Sequence, residues 1–156
     1  MCIRDSLFFC SATLDGTGQR NKNAVKTGAI VVDLDCGAVG HKKESPFPDI
    51  EAALAHLRGL PCLPSFIWKT GHGVQAAFLL DQPVLFSDQH RAALYEQVRK
   101  QLFAATKSDW TSARSQLFRV PGCMNIKKDC PPVRSEMVEY HPERRYDLAT
   151  LEAAFP

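Results

Sequence analysis

Two aspartates close the most apolar strand that this sequence predicts. Asp33 and Asp35 follow the apolar run at residues 29–32. Because side chains alternate along a strand, both carboxylates point to the same face. Mg²⁺ prefers a few carboxylates together with the phosphate oxygens of a substrate. The pair therefore predicts a divalent-metal site, and the alternative interpretation is two surface aspartates that end a strand.

A glycine-rich turn separates two further predicted strands, at residues 65–68 and 74–80. Glycine lets the backbone approach a ligand closely, so that its N–H groups can surround a phosphate. Gln75 lies on the same strand face as Gly73, where its amide can bind a phosphate or a ribose. A plain hairpin turn with an exposed glutamine is the alternative. The candidate nucleotide contacts are Lys69, Thr70, Gly71, His72, Gly73 and Gln75.

A third segment places two cations around a rigid turn. Arg119 and Lys127 flank the Val-Pro-Gly turn at residues 120–122, which fixes the direction of the chain. Arginine can contact a phosphate through two N–H groups, whereas lysine acts as a point charge. Asn125 either holds this loop or contacts the nucleotide. The three motifs together predict metal-dependent nucleotidyl transfer, which none of them would indicate alone.

The composition is that of an ordinary globular protein. The 156 residues fit one domain over 1–156, with 45% hydrophobic and 23% charged residues. A formal net charge of +2 means that any basic surface must come from clustering. The sequence has no signal peptide and no apolar span of about 18 residues, which predicts a cytoplasmic protein without membrane contact. The six cysteines form no C-x-x-C pair, so reduced thiols are expected rather than disulfides or zinc.

The first residues suggest a truncated chain. Residues 7–13 already have the pattern of a strand, with no segment ahead of them to begin a domain. The hexapeptide at residues 1–6 looks like translated sequencing-adapter read-through, and is therefore treated as non-native sequence. We expect the true chain to begin upstream.

The order of predicted elements indicates an α+β fold. Asp49 caps a predicted helix that ends at Gly59, and Ser87 or Asp88 caps the longest helix, through about Ala105. Residues 19–26 are polar and basic, as in a loop. Trp68 and Trp110 are expected to pack in the core rather than to stack on bases. The predicted strands are 7–13, 28–34, 65–68, 74–80, 116–120 and 133–140, and a short helix at 146–155 closes the chain.

The three motifs resemble those of the archaeo-eukaryotic primase superfamily, particularly the primase-polymerase domains of plasmids, phages and other mobile elements. That family shows a strand ending in Asp-x-Asp, a Ser/Thr-Gly-x-Gly-x-His or Gln turn, and an Arg-x-Pro-Gly-x-x-Asn-x-Lys segment. The resemblance runs from about Leu7 to Leu151. It implies a mixed or antiparallel sheet like that of an RNA-recognition fold, flanked by helices.

The resemblance also implies roles for individual residues. Asp33 and Asp35 would be catalytic ligands of two Mg²⁺ or Mn²⁺ ions, and Asp109 is the best candidate for the family's third acidic ligand. If Asp109 instead caps a following turn, the two-metal site is incomplete. Many members have histidine where this chain has Gln75, although glutamine occurs in the plasmid-primase branch. Those implied to face the nucleotide are Thr70, Gly71, Gly73, Gln75, Arg119 and Lys127.

The expected function is template-directed synthesis of a primer or DNA strand from nucleoside triphosphates, in replication of a mobile element. The implied partners are a single-stranded DNA template and a helicase domain or subunit. The alternative is a non-catalytic replication-initiation or nucleic-acid-binding module, which a metal site with only two acids would favour. A nucleotide-sugar glycosyltransferase would also use Asp33 and Asp35, but it gives no reason for the segment from Arg119 to Lys127.

Overall fold

The computed structural model describes residues 7–37, 45–111, 113–126 and 130–156. Within them, three helices flank a six-stranded mixed sheet with two additional strand pairs, which confirms the α+β fold class. The strands are β1 Phe8–Cys10, β2 Ala12–Leu14, β3 Ala24–Asp35, β4 Phe66–Lys69, β5 Gly73–Leu85, β6 Leu117–Arg119, β7 Met124–Asn125, β8 Val133–Arg134, β9 Glu136–Tyr140 and β10 Arg145–Tyr146. The helices are α1 Ile50–Arg58, α2 Gln89–Thr106 and α3 Leu148–Ala154, with a 3₁₀ turn at Asn21–Asn23.

The main sheet is built around the two long strands β3 and β5. Its order is β2-β3-β5-β4-β9, with antiparallel pairing throughout, and β10 adds to β5 in parallel. The register places Asp33 opposite Gln75 and Asp35 opposite Gly73. On the other side of β5, Trp68 lies opposite Gln75. The first two sequence motifs therefore meet at one end of the sheet.

One face of the sheet carries the main hydrophobic core. Ile30, Val32 and Leu34 of β3 are fully buried there, together with residues of all three helices. Each helix begins at an aspartate whose side chain accepts a hydrogen bond from a backbone N–H of the first turn, at 2.8 Å for Asp49, 3.1 Å for Asp88 and 2.6 Å for Asp147. The predicted cap at Asp49 is confirmed, and Asp88 rather than Ser87 caps α2.

The opposite face is only partly covered. β1 and β6 pair with each other and lie over Val31 of β3, Trp68 of β4 and Ala77 of β5. Phe9 and Phe118 supply the apolar contacts. Because side chains alternate, Asp33 and Asp35 continue the row of Val31 on this open face.

Strand pairing explains where the structure differs from the sequence prediction. The predicted strand at 7–13 divides at Ser11, because β1 pairs with β6 whereas β2 pairs with β3. The predicted loop at 19–26 is wrong at its end, since β3 begins at Ala24 and Lys26 pairs with Thr13. A neighbouring strand satisfies the backbone groups of these polar residues and overrides their local preference.

Two expectations about apolar features can also be compared with the structure. Trp68 is buried, as expected, but Trp110 is 45% exposed, and its ring packs against Phe103 and the guanidinium of Arg99. None of the described helices has the length and apolar character needed to cross a membrane. Of the cysteines in the described ranges, Cys10, Cys36, Cys62, Cys123 and Cys130 are free thiols.

The structure predicts unequal effects for the two candidate caps of α2. Asp88→Ala should lower the free energy of unfolding by about 1 kcal/mol, because it leaves a first-turn N–H without its acceptor. Ser87→Ala, at the exposed neighbouring position, should change it by less than about 0.5 kcal/mol. Urea denaturation followed by circular dichroism measures both. A larger loss for Ser87→Ala would contradict the assigned cap.

Candidate functional site

The Gln75 side chain is the centre of the site. It is 3% exposed and makes three hydrogen bonds. Its Oε1 accepts from Trp68 Nε1 at 3.0 Å and from the backbone N–H of Arg119 at 3.0 Å. Its Nε2 donates to Asp33 Oδ2 at 3.0 Å. Indole and backbone N–H groups only donate, so the amide oxygen must face them and the NH₂ group must face the carboxylate.

These contacts join all three sequence motifs. Strand register brings Asp33 and Trp68 to the two sides of Gln75. Arg119 reaches the same place from β6, because β6 pairs with β1 and Phe8 lies opposite Arg119. One hydrogen-bonded unit therefore joins Asp33 of the acid pair, Gln75 after the glycine turn and Arg119 of the third motif.

Negative charge concentrates where β3 ends. Asp33 and Asp35 are both partly buried on the open face. Burial, followed by the neighbouring charges of Asp35, Asp49 and Asp33, raises the pKa of the Cys36 thiol to about 11. The same negative charges that disfavour a thiolate at Cys36 favour a cation. The end of β3 is therefore suited to holding a metal ion.

Arg119 provides the opposite charge. Its guanidinium carbon lies 4.8 Å from the centre of the Phe8 ring. Nη1 is buried and has no hydrogen-bond partner within the described residues. Burial lowers the pKa of Arg119, and the charge of Asp33 opposes that shift. A buried cationic N–H without an acceptor is costly, so this position suits an anionic ligand.

Lack of space for a Cβ explains why both positions in the turn are glycine. Gly71 has a φ of +100°, and a Cβ there would lie 2.9 Å from Cβ of Val133. A Cβ at Gly73 would lie 2.5 Å from the carbonyl oxygen of Leu34 on β3. The backbone N–H of Thr70 donates to the Gly73 carbonyl at 2.9 Å and closes the turn. The turn thus requires glycine for packing, whether or not it contacts a phosphate.

Asn125 holds this turn in place. Its Nδ2 donates to the carbonyl oxygen of Thr70, and Ser135 Oγ donates to the carbonyl of Lys69 at 2.8 Å. Oδ1 of Asn125 is buried with no hydrogen-bond partner in the described part of the chain. Asn125 therefore holds the glycine turn, a contact that the sequence did not predict, and its predicted contact with the nucleotide stays a prediction.

Two other predicted residues lie apart from this unit, and a third is not among the described residues. Lys69 follows Trp68 on β4 and therefore faces the helices, where its Nζ lies 3.2 Å from Glu51 Oε1 of α1. Asp109 is exposed after α2, and no group of three or more His, Cys, Asp or Glu within the described ranges could hold a metal ion. Asp109 is thus in no such group with Asp33 and Asp35, and its role as a third ligand stays a prediction. Lys127 lies outside the described residues.

Two cavities border the site. One, of about 550 Å³, lies beside the glycine turn and is lined by His72, Gly71, Cys36 and the start of α1. The other, of about 430 Å³, is apolar and lies on the open face of the sheet, with Phe9, Phe66 and Trp68 in its wall. Sequence analysis missed the second cavity, although Phe66 and Trp68 lie two residues apart and so share a strand face.

Comparison with known proteins is consistent with this architecture. No family model matches the chain, and no curated protein matches its sequence. Among solved structures, the AEP domain of the cyanophage S-2L primase-polymerase matches with a TM-score of 0.64 and 21% sequence identity. The match covers 93% of this chain and 68% of the cyanophage chain. This likeness shows that the chain has the fold of a primase-polymerase core.

Replacing the central amide tests the hydrogen-bonded unit. Gln75→Met keeps a similar shape but leaves Asp33, the Trp68 indole N–H and the Arg119 backbone N–H without their partner. It should lower the free energy of unfolding by about 2–3 kcal/mol. Gln82→Met, at an exposed position on the same strand, is the matched control and should be nearly neutral. Equal denaturation midpoints for the two variants would show that the unit contributes no stability.

Two glycine substitutions on paired strands should differ sharply. Gly73→Ala forces Cβ against the Leu34 carbonyl and should cost about 1–3 kcal/mol of folding free energy. Gly28→Ala meets no atom within 4 Å, so its effect should lie within about 0.5 kcal/mol of zero. Thermal unfolding of both variants checks the difference. A fully stable Gly73→Ala protein would be inconsistent with the close approach of β3 and β5 at the turn.

Proposed function

We propose that this chain is a primase-polymerase that transfers nucleotides onto a strand under the direction of a single-stranded DNA template. One observation carries the proposal. Gln75 holds the Asp33 carboxylate through its NH₂ group and the backbone of Arg119 through its oxygen. The residues suited to a metal ion and to a phosphate are therefore fixed side by side. The primase-polymerase fold supports this choice of reaction.

The acid pair fits a divalent cation. Two carboxylates on one strand face, in a region that already raises the pKa of the Cys36 thiol, can share an Mg²⁺ or Mn²⁺ ion whose other ligands are water and phosphate oxygens. When bound, such an ion neutralises phosphate charge and promotes deprotonation of an attacking hydroxyl. A site for two ions needs a further ligand, for which Asp109 remains the prediction from sequence.

The other residues of the site would bind and orient the nucleoside triphosphate. Arg119 would contact an anionic group through Nη1, which is buried and has no acceptor within the described residues. Asn125 and Ser135 hold the backbone of the turn at residues 69–73, so that its N–H groups keep one arrangement. Lys127 would add a second cation. In this scheme Gln75 is a positioning residue, because it acts through Asp33 and Arg119.

The direct test is incorporation of a labelled nucleotide on a primed single-stranded template with Mg²⁺ or Mn²⁺. Asp33→Asn and Asp35→Asn remove one charge each at nearly constant shape. We expect each to reduce incorporation by about 100-fold or more, as the loss of a metal ligand should. Asp81→Asn, exposed on β5, is the matched control and should retain activity. Wild-type activity in both Asp33→Asn and Asp35→Asn would rule out this site.

A non-catalytic nucleic-acid-binding module is the second candidate. It is favoured by the finding that no third acidic residue joins Asp33 and Asp35 within the described ranges. Folded protein that binds single-stranded DNA yet incorporates no nucleotide with either metal would support this module. Template-dependent incorporation lost in the Asp33 and Asp35 variants would exclude it.

A further inference from the structure

The open face of the sheet carries an aromatic groove that the proposed chemistry does not use. We define it by Phe9, Phe66, Trp68, Pro121 and Met137, around a floor that includes Val31 and Ala77. Its volume is about 430 Å³. None of the described residues that line it is charged. The groove is therefore built to contact flat apolar surface rather than phosphate.

Strand register places this groove beside the candidate site. Asp33, Gln75, Trp68 and Met137 form one row across β3, β5, β4 and β9. The next row on the same face is Val31, Ala77, Phe66 and Tyr140. Residues two apart on a strand are separated by about 6.6 Å. The floor of the groove thus begins one row away from the carboxylates.

A second flat surface continues the groove at the edge of the sheet. The rings of Phe66 and Tyr140 are stacked, with centroids 5.0 Å apart and planes 16° from parallel. Tyr140 is 64% exposed, and beyond it the edge strand β9 has no further neighbour in the described sheet. Phe66 belongs to both the groove and the stack, so the two surfaces are continuous.

Arg119 lies beside the row of the carboxylates, and its guanidinium contacts the Phe8 ring. The backbone of Arg119 and the indole of Trp68 both donate to Oε1 of Gln75, and Pro121 lies two residues after Arg119. The buried Nη1 of Arg119 has no acceptor among the described residues. A ligand with both aromatic faces and anionic groups therefore complements this surface.

We propose that the groove and the exposed Tyr140 ring bind consecutive unpaired bases of a single nucleic-acid strand, with a neighbouring phosphate near Arg119. Two adjacent flat surfaces favour a strand over an incoming nucleotide, which has one base. Stacking suits any base, because each presents a π face. This inference deepens the proposed function, since it states how the template would be held, but the binding itself needs neither metal nor catalysis.

The test compares two single strands of the same length, oligo(dT) and an abasic oligomer with the same number of phosphates, without metal. Wild-type protein should bind oligo(dT) more tightly than the abasic strand. Tyr140→Ala should weaken oligo(dT) binding by about 10-fold, the loss expected from one stacked base, and should leave abasic binding unchanged. Leu85→Ala, at an exposed apolar position on β5, is the control. Equal binding of oligo(dT) by wild type and Tyr140→Ala would overturn the proposal.

A fluorescence measurement identifies the occupant of the groove. In a Trp110→Phe background the signal comes from Trp68, whose buried ring lies in the wall of the groove; oligo(dT) should change its emission whereas the abasic strand should not. The same change on adding free deoxynucleoside triphosphate, at the same concentration of bases, would instead assign the groove to the incoming nucleotide. Self-association in sedimentation that disappears in Tyr140→Ala would assign it to a second copy of the chain. Either result would overturn the proposal.

The outcome is separable from that of the proposed function. Base-dependent binding that survives in Asp33→Asn and Asp35→Asn, in a protein that incorporates no nucleotide, would leave the groove established and the catalytic proposal rejected. Metal-dependent incorporation that is unaffected by Tyr140→Ala, with equal binding of oligo(dT) and abasic strands, would establish the catalytic proposal. It would reject the groove as a binding site for bases.

Discussion

The arrangement of the site depends on the fixed orientation of one buried amide. Gln75 lies between two obligatory donors, the Trp68 indole and the Arg119 backbone N–H, so its oxygen is committed to them and its NH₂ group to Asp33. An amide turned the other way would bring two donors onto an NH₂ group and an oxygen onto a carboxylate. That arrangement would leave several buried polar groups unsatisfied. The amide therefore connects β3, β4, β5 and β6 in a single way.

The fixed amide places carboxylates on one side and the Arg119 guanidinium on the other, a short distance apart. Burial and the carboxylates at the end of β3 raise the pKa of the Cys36 thiol. Arg119 lies on the other side of the amide, with a buried N–H that has no acceptor within the described residues. Burying a charged group is costly unless an opposite charge or a hydrogen bond compensates it. A ligand that carries both a cation and phosphate groups would satisfy the two together. The proposed nucleotide chemistry therefore rests on the electrostatics of the site rather than on any single motif.

Strand alternation made much of this predictable from sequence. It placed Asp33 and Asp35 on one face, and it would also have placed Lys69 on the face opposite Trp68, where it contacts Glu51. The position of Arg119 was not predictable, because it depends on the pairing of Phe8 with Arg119, which no local pattern reports. The exposed position of Asp109 after α2 follows from packing at the end of that helix rather than from its spacing to the third motif.

The two strands that cover part of the open face also link the groove to the charged site. β1 supplies Phe9 to the wall of the groove, and β6 supplies Arg119 to the amide. Because β1 and β6 pair only with each other in the described structure, a shift of one moves the other. Ligand packed against Phe9 would thereby stabilise the strand that carries Arg119. The short β1–β6 pair is thus the structural link between the groove and the position of Arg119.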